Sequence, residues 1–177
     1  FGGITPLQAK EIVLHGLTLQ DGQGTDAGEA DGTQGYKDVL PVASGELHEV
    51  GAQYFLDQAF RFPYADDGRQ SQDNAGHGQE EQNGNRCGAS NHPNDLQVFT
   101  TDFTALNNSG VDGQALLFLD ARSQTLTMHI KAEGLEPGQV HVQHIHGFDN
   151  DKDAKTPTLA QDDDRDGFVE LAEGLDT

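Results

Sequence analysis

Between residues 124 and 132, apolar and polar side chains alternate one for one. Leu126, Met128 and Ile130 fall on one face, and Thr125, Thr127, His129 and Lys131 on the other. A period of two marks a strand with one face on a core and the other in water, the pattern of antiparallel sheets. The neighbouring segments fit the same sheet. Residues 96–100 open it, 114–119 form a short apolar strand, 120–123 a turn, 134–138 a Gly/Pro turn and 140–146 another strand. Short strands at this spacing predict a mainly β protein, an antiparallel sandwich with Greek-key connections.

The first 64 residues read as an N-terminal region of mixed structure. Thr5, Pro6 and Gln8 have the order of a helix start, with Thr5 as cap and Gln8 closing a capping box. Leu7, Ile12, Val13 and Leu14 then predict one apolar helix face running through His15, ended by Gly16. Residues 22–35 read as loop. A second amphipathic segment from Ser44 turns Leu47, Val50, Tyr54 and Leu56 inward, although its aromatic tail over 54–62 suits a strand equally well. The extension is thus expected to carry one or two helices. Residues 65–95 form a long polar loop with almost no apolar side chains. Its His77, Cys87 and His92 are soft-metal ligand types, but their spacing matches no strong zinc pattern and they read as scattered loop residues. Residues 96–177 hold the β segments.

Near the C-terminus, residues 162–173 fit the twelve-residue calcium-loop pattern at each defined position. Hard cations take oxygen ligands, and Asp162, Asp164 and Asp166 supply them at positions 1, 3 and 5. Phe168 offers its carbonyl at position 7, Glu170 stands at position 9, and Glu173 at position 12 is the expected bidentate carboxylate. Gly167 takes the sharp turn, and Val169 is the apolar residue that tucks the loop against a core. Pro157 leaves no room for a full incoming helix, so the loop reads as an isolated structural calcium site followed by a short helical turn. A second acidic run over 149–153 has Ala154 in the turn position and reads as a solvated loop.

Composition sets the outer limits. Thirty acidic residues against ten basic give a net charge of −20, which argues against nucleic acid or an anionic membrane as partner. No apolar run is long enough to span a bilayer. A single cysteine, Cys87, excludes an internal disulfide framework. Beginning at Phe1 without an initiator Met or apolar export segment, the chain reads as a processed chain or a fragment.

Residues 123–148 resemble the central hairpin of the chordin-type (CHRD) domain, a family related in fold to Cu/Zn superoxide dismutase. The resemblance rests on the Gly-Leu-x-Pro-Gly turn (Gly134, Leu135, Pro137, Gly138) and the run His141, His144, His146, Gly147. The acidic segment ending Glu173-Gly174-Leu175 is similar to bacterial members of the same group. The likeness covers roughly the last 80 residues. It implies a superoxide-dismutase-like sandwich, copper or zinc at His144 and His146, and a role for His141 in supporting those two ligands. Two positions apart on a strand, the imidazoles of His144 and His146 project from one face and can share an ion. No histidine follows His146, so a redox copper site would have to recruit His15, His48, His129 or the polar loop.

No nucleophile elbow, phosphate-cradling loop or dinucleotide fingerprint is present. The sequence therefore predicts a secreted or cell-surface, calcium-binding structural, adhesive or assembly module, more a scaffold than an enzyme. Its expected partner is another copy of itself or an envelope or matrix protein. The alternative is a copper-binding, dismutase-like redox enzyme using His144 and His146. Because the family-like segment stops early, the missing strands are expected from the N-terminal region or from a neighbouring subunit.

Overall fold

The computed structural model describes residues 5–19, 35–51, 96–150 and 152–174. Residues 22–34 of the first loop, the aromatic stretch 54–62, and the polar segment 65–95 with His77, Cys87 and His92 lie outside the described residues.

Among the described residues, eight strands form two antiparallel sheets in a β-sandwich-like arrangement: β1 (Glu11–Thr18), β2 (Tyr36–Glu46), β3 (His48–Val50), β4 (Leu96–Asp102), β5 (Thr104–Ala105), β6 (Asp112–Asp120), β7 (Thr125–Glu133) and β8 (Gln143–His146). The first sheet runs β5-β2-β1-β8 and the second β3-β4-β6-β7. A four-residue helical turn, α1 (Leu171–Gly174), closes the described chain.

The alternation in β7 does what its period predicts. Leu126, Met128, Ile130 and Ala132 pack on a core that includes Ile12, Leu14, Val42, Phe99, Leu117 and Leu119, drawn from both sheets. The β6–β7 turn is set locally, because Asp120 Oδ1 accepts the N–H groups of Arg122 and Ser123 at 2.9 and 3.1 Å. β7 and β8 are not paired with one another. They belong to different sheets, so the turn holding Gly134, Pro137 and Gly138 carries the chain across the sandwich instead of closing a hairpin.

The N-terminal helix expectation is corrected by the structure. Among the described residues of this region only Leu7–Ala9 coil, as one 3-10 turn, and Glu11–Thr18 is a strand. The apolar run misleads because β1 is buried on both faces. Ile12 and Leu14 enter the core, while Glu11, Val13 and His15 face the opposite side and are also covered. A strand covered twice loses its alternation and looks like any other apolar segment. The segment expected to be helical from Ser44 enters β3 at His48, paired with β4. The strands lacking from the C-terminal part thus come from the same chain: β1 pairs with β8, β2 with β5 and β3 with β4.

Gly16 sits where the β1–β2 register slips, at φ +111°. A Cβ there would run into the Tyr36 hydroxyl and lie 2.8 Å from His141 Nδ1. Gly16→Ala is expected to lower the unfolding free energy by about 2–3 kcal/mol, since it adds a steric clash to a positive φ. Urea unfolding midpoints at constant m-value measure it.

The segment 152–174 lies over the outer face of the first sheet. Ala154 N–H donates to the Ala9 carbonyl at 3.1 Å, and Lys155 Nζ reaches Glu46 at 2.9 Å. Asn107 provides the buried attachment. Its Nδ2 donates to the carbonyls of Pro41 and Val169, both at 2.9 Å, and its Oδ1 accepts the Val169 N–H at 2.8 Å.

Candidate functional site

The acidic loop is wound by its own side chains. Asp162 accepts the Arg165 N–H at 2.7 Å and the Gly167 N–H at 3.0 Å. Asp164 accepts the Asp166 N–H, and Asp166 accepts the Phe168 N–H, each at 2.9 Å. Gly167 takes φ +97°, the turn the pattern assigns to glycine. These bonds bring ligand oxygens of Asp162, Asp164 and Asp166 within 4.8 Å of one another. Like charges so close repel by about 1 kcal/mol per pair even in water, and more where water is thin. A cation among them reverses that sign.

Glu173 and Glu170 take different places. Glu173 closes the loop, with Oε1 accepting the Asp163 N–H at 2.5 Å and Oε2 the Glu170 N–H at 3.1 Å. Glu170 is fully buried, and neither of its carboxylate oxygens receives a hydrogen bond. Loss of water first, then the Glu173 and Asp166 carboxylates, push its acid up to about 8. Val169 is buried as expected of the residue that anchors the loop.

The histidines meet elsewhere, on the outer face of the first sheet. In the β1–β8 register, Glu11 lies opposite His146 and Val13 opposite His144. His15 follows two residues on, so three imidazoles and one carboxylate share that face. His146 Nδ1 donates to Glu11 Oε1 at 2.9 Å, and Ser44 Oγ donates to the other Glu11 oxygen. His15 Nδ1 lies 2.6 Å from the Val39 carbonyl, which only accepts, so the His15 proton is on Nδ1. Its Nε2 lone pair points at His144 Nε2, 2.9 Å away. Burial, then His144 and His146, push His15 down to about 4, against the Val39 bond, which acts upward. Burial and the His146 ring lower His144 as well. His141 is engaged separately: Nδ1 lies 2.9 Å from the His15 carbonyl and Nε2 2.9 Å from that of Glu136. His48 and His129 are exposed on the second sheet.

The structure therefore places His144 and His146 beside His15, and Asp162, Asp164 and Asp166 beside one another. Sequence reasoning missed Glu11, Ser44 and Asn107. Glu11-x-Val13-x-His15 is a one-face strand pattern, legible only once β1 is read as a strand.

A neutral buried His15 has a pH consequence. Its folded value lies below the ordinary 6.5, so between about 4 and 6.5 the unfolded chain binds the extra proton. The stability that neutral His15 contributes above pH 6.5 is expected to be lost, by about 3 kcal/mol, as pH drops to about 4, against the opposite trend of the buried Glu170 over part of the same range. The wild type minus His15→Gln difference in unfolding free energy at each pH, read from denaturation midpoints, isolates it.

Compared with protein-family models, curated proteins and solved structures, the chain matches none. No described helix is long and apolar enough to cross a membrane.

Proposed function

We propose that this protein is an extracytoplasmic, calcium-stabilised module with a structural, adhesive or assembly role in an envelope or matrix. The observation that carries the reading is the wound loop, where three aspartate carboxylates converge next to a fully buried glutamate that has no donor. Among the described residues the loop has no paired partner, and a single loop of this kind suits the extracellular calcium modules, whose dissociation constants are about 10⁻⁴–10⁻³ M. Only a calcium-rich exterior fills such a site. The net charge of −20 suits the same setting. The chordin-type, Greek-key form of the sandwich remains part of this proposal, supported by the turn at Gly134 to Gly138 and by β8 with its histidines. Val140, 78% exposed, and Val142, 43% exposed, precede β8 at the end of the first sheet and support an assembly role there.

Calorimetric titration tests the calcium reading. One calcium per chain is expected at the loop, and Glu173→Gln should weaken it by tenfold or more. Asp163→Asn, at the non-ligand second position, should change affinity less than threefold. Equal losses in both variants would indicate diffuse attraction to an acidic surface and sink the reading.

A further inference from the structure

Among the described residues, the two sheets end in four edge strands of unequal length. Three are short, as protected edges are: β5 has two residues, β3 three and β8 four. The fourth, β7, has nine. Its register with β6 runs unbroken from Asp112↔Glu133 to Asp120↔Thr125, with no bulge, and the strand contains no proline. Among the described residues no strand pairs with its other side. A strand turns the N–H and C=O of alternate residues to each side, so β7 presents a row of main-chain donors and acceptors outward.

The side chains need cover at the same edge. Ala115, Leu117 and Leu119 of β6 are buried, whereas Leu126, Met128, Ile130 and Ala132 of β7 pack on the same core and stay partly uncovered. A strand added outside β7 would shield them and satisfy the main chain together.

Charge and symmetry name the occupant. The net charge of −20 makes two copies repel across most of their surfaces, and would draw a basic partner to those acidic surfaces instead. β7 is different. Lys131 and Glu133 pair with each other at 3.2 Å and leave the strand without net charge. Laid antiparallel on its own copy about a two-fold axis at His129, β7 overlaps along its whole length. Met128 then meets Ile130 of the second copy and Leu126 meets Ala132, which continues the apolar row. On the outer face Thr127 meets Lys131 and Thr125 meets Glu133, so no lysine faces a lysine and no glutamate a glutamate.

We propose that β7 is the interface of a two-fold symmetric homodimer, pairing antiparallel with β7 of a second copy to build one continuous sheet across both chains. This names the partner for the assembly role proposed above and rests on that role. It requires neither calcium nor the histidine cluster.

Sedimentation equilibrium of the whole chain tests it. A monomer–dimer equilibrium is expected, the same in excess calcium and in chelator. Thr127 is exposed, so its substitution spares the core. Thr127→Lys sets two like-charge pairs against Lys131 across the two-fold and should weaken the dimer about tenfold, whereas Thr127→Glu sets two opposite pairs and should tighten it about as much. Net charge alone predicts the reverse order, because the lysine lessens the repulsion between chains and the glutamate adds to it. His129→Cys in a Cys87→Ser background should cross-link on mild oxidation, since its two Cα atoms face each other about 4.5–5.5 Å apart. Thr125→Cys in that background should not, because its two copies stand about 27 Å apart at about 3.4 Å per residue. A dimer in a chain that binds no calcium sustains the proposal and sinks only the calcium reading. A chain that binds calcium but stays monomeric at its highest soluble concentration overturns the proposal alone. A dimer that forms only with calcium, or the reverse order of the two Thr127 variants, would also overturn it. So would β7 amides protected from exchange in a monomer, which would put another segment of the same chain on this edge.

Discussion

Asn107→Ala is expected to lower the unfolding free energy by about 2–4 kcal/mol and to release the C-terminal segment from the first sheet. The side chain makes three buried bonds: to the Pro41 carbonyl, the Val169 carbonyl and the Val169 N–H. Truncation strands three main-chain groups in a dry place, each costing about 1–3 kcal/mol if nothing moves. Local detachment of the segment caps the total below the sum. The backbone supplies an internal control. Asn107 and Asn108 both hold left-handed φ angles, 53° and 55°, but Asn108 is exposed. Asn108→Ala therefore has the same backbone cost without the lost bonds. The difference between the two variants isolates the clamp. Hydrogen exchange at the Val169 amide should rise in Asn107→Ala alone. Equal destabilisation by both variants would mean that the clamp adds nothing beyond the turn.

The sequence made the second sheet readable because β4, β6 and β7 are long and bounded by turn residues. β7 alternates openly because only one of its faces is covered. β1 was misread for the opposite reason: the segment 152–174 covers its second face, and nothing local in Glu11–Thr18 announces a partner some 140 residues away. The acidic loop was legible because its carboxylates are spaced by a turn whose geometry is local. The three aspartates that the pattern names are the ones whose oxygens converge. The histidine cluster was half legible. His144 and His146 are two apart on one strand, whereas His15 joins them only through the β1–β8 register. The burial of Glu170 has no local signal either, because it depends on where Asn107 holds Val169.

Glu170→Gln is expected to separate the cost of that buried carboxyl from its use. In wild-type protein without calcium, the folded acid holds its proton up to about pH 8, against an ordinary 4.5. Between those values the folded state binds more protons than the unfolded one, so the unfolding free energy falls as pH rises. Removing the titration should flatten this part of the slope. Subtracting the variant's stability from the wild type's at each pH also removes the opposing His15 contribution, which both share. In chelator at pH 8 the variant should melt above wild type, because an uncharged amide replaces a carboxylate that would otherwise ionise among Asp166 and Glu173. Saturating calcium should reverse the order. An ion that binds only the folded state stabilises by about 2.7 kcal/mol at a hundredfold excess over its dissociation constant, and it favours the ionised glutamate over its proton. The wild type should therefore gain more from calcium than the variant does, and its pH slope between 4.5 and about 8 should shrink as calcium rises. Parallel pH profiles for the two proteins in chelator would show that Glu170 is ionised without an ion. A calcium-induced rise in melting temperature of equal size in both would separate its burial from the loop's chemistry.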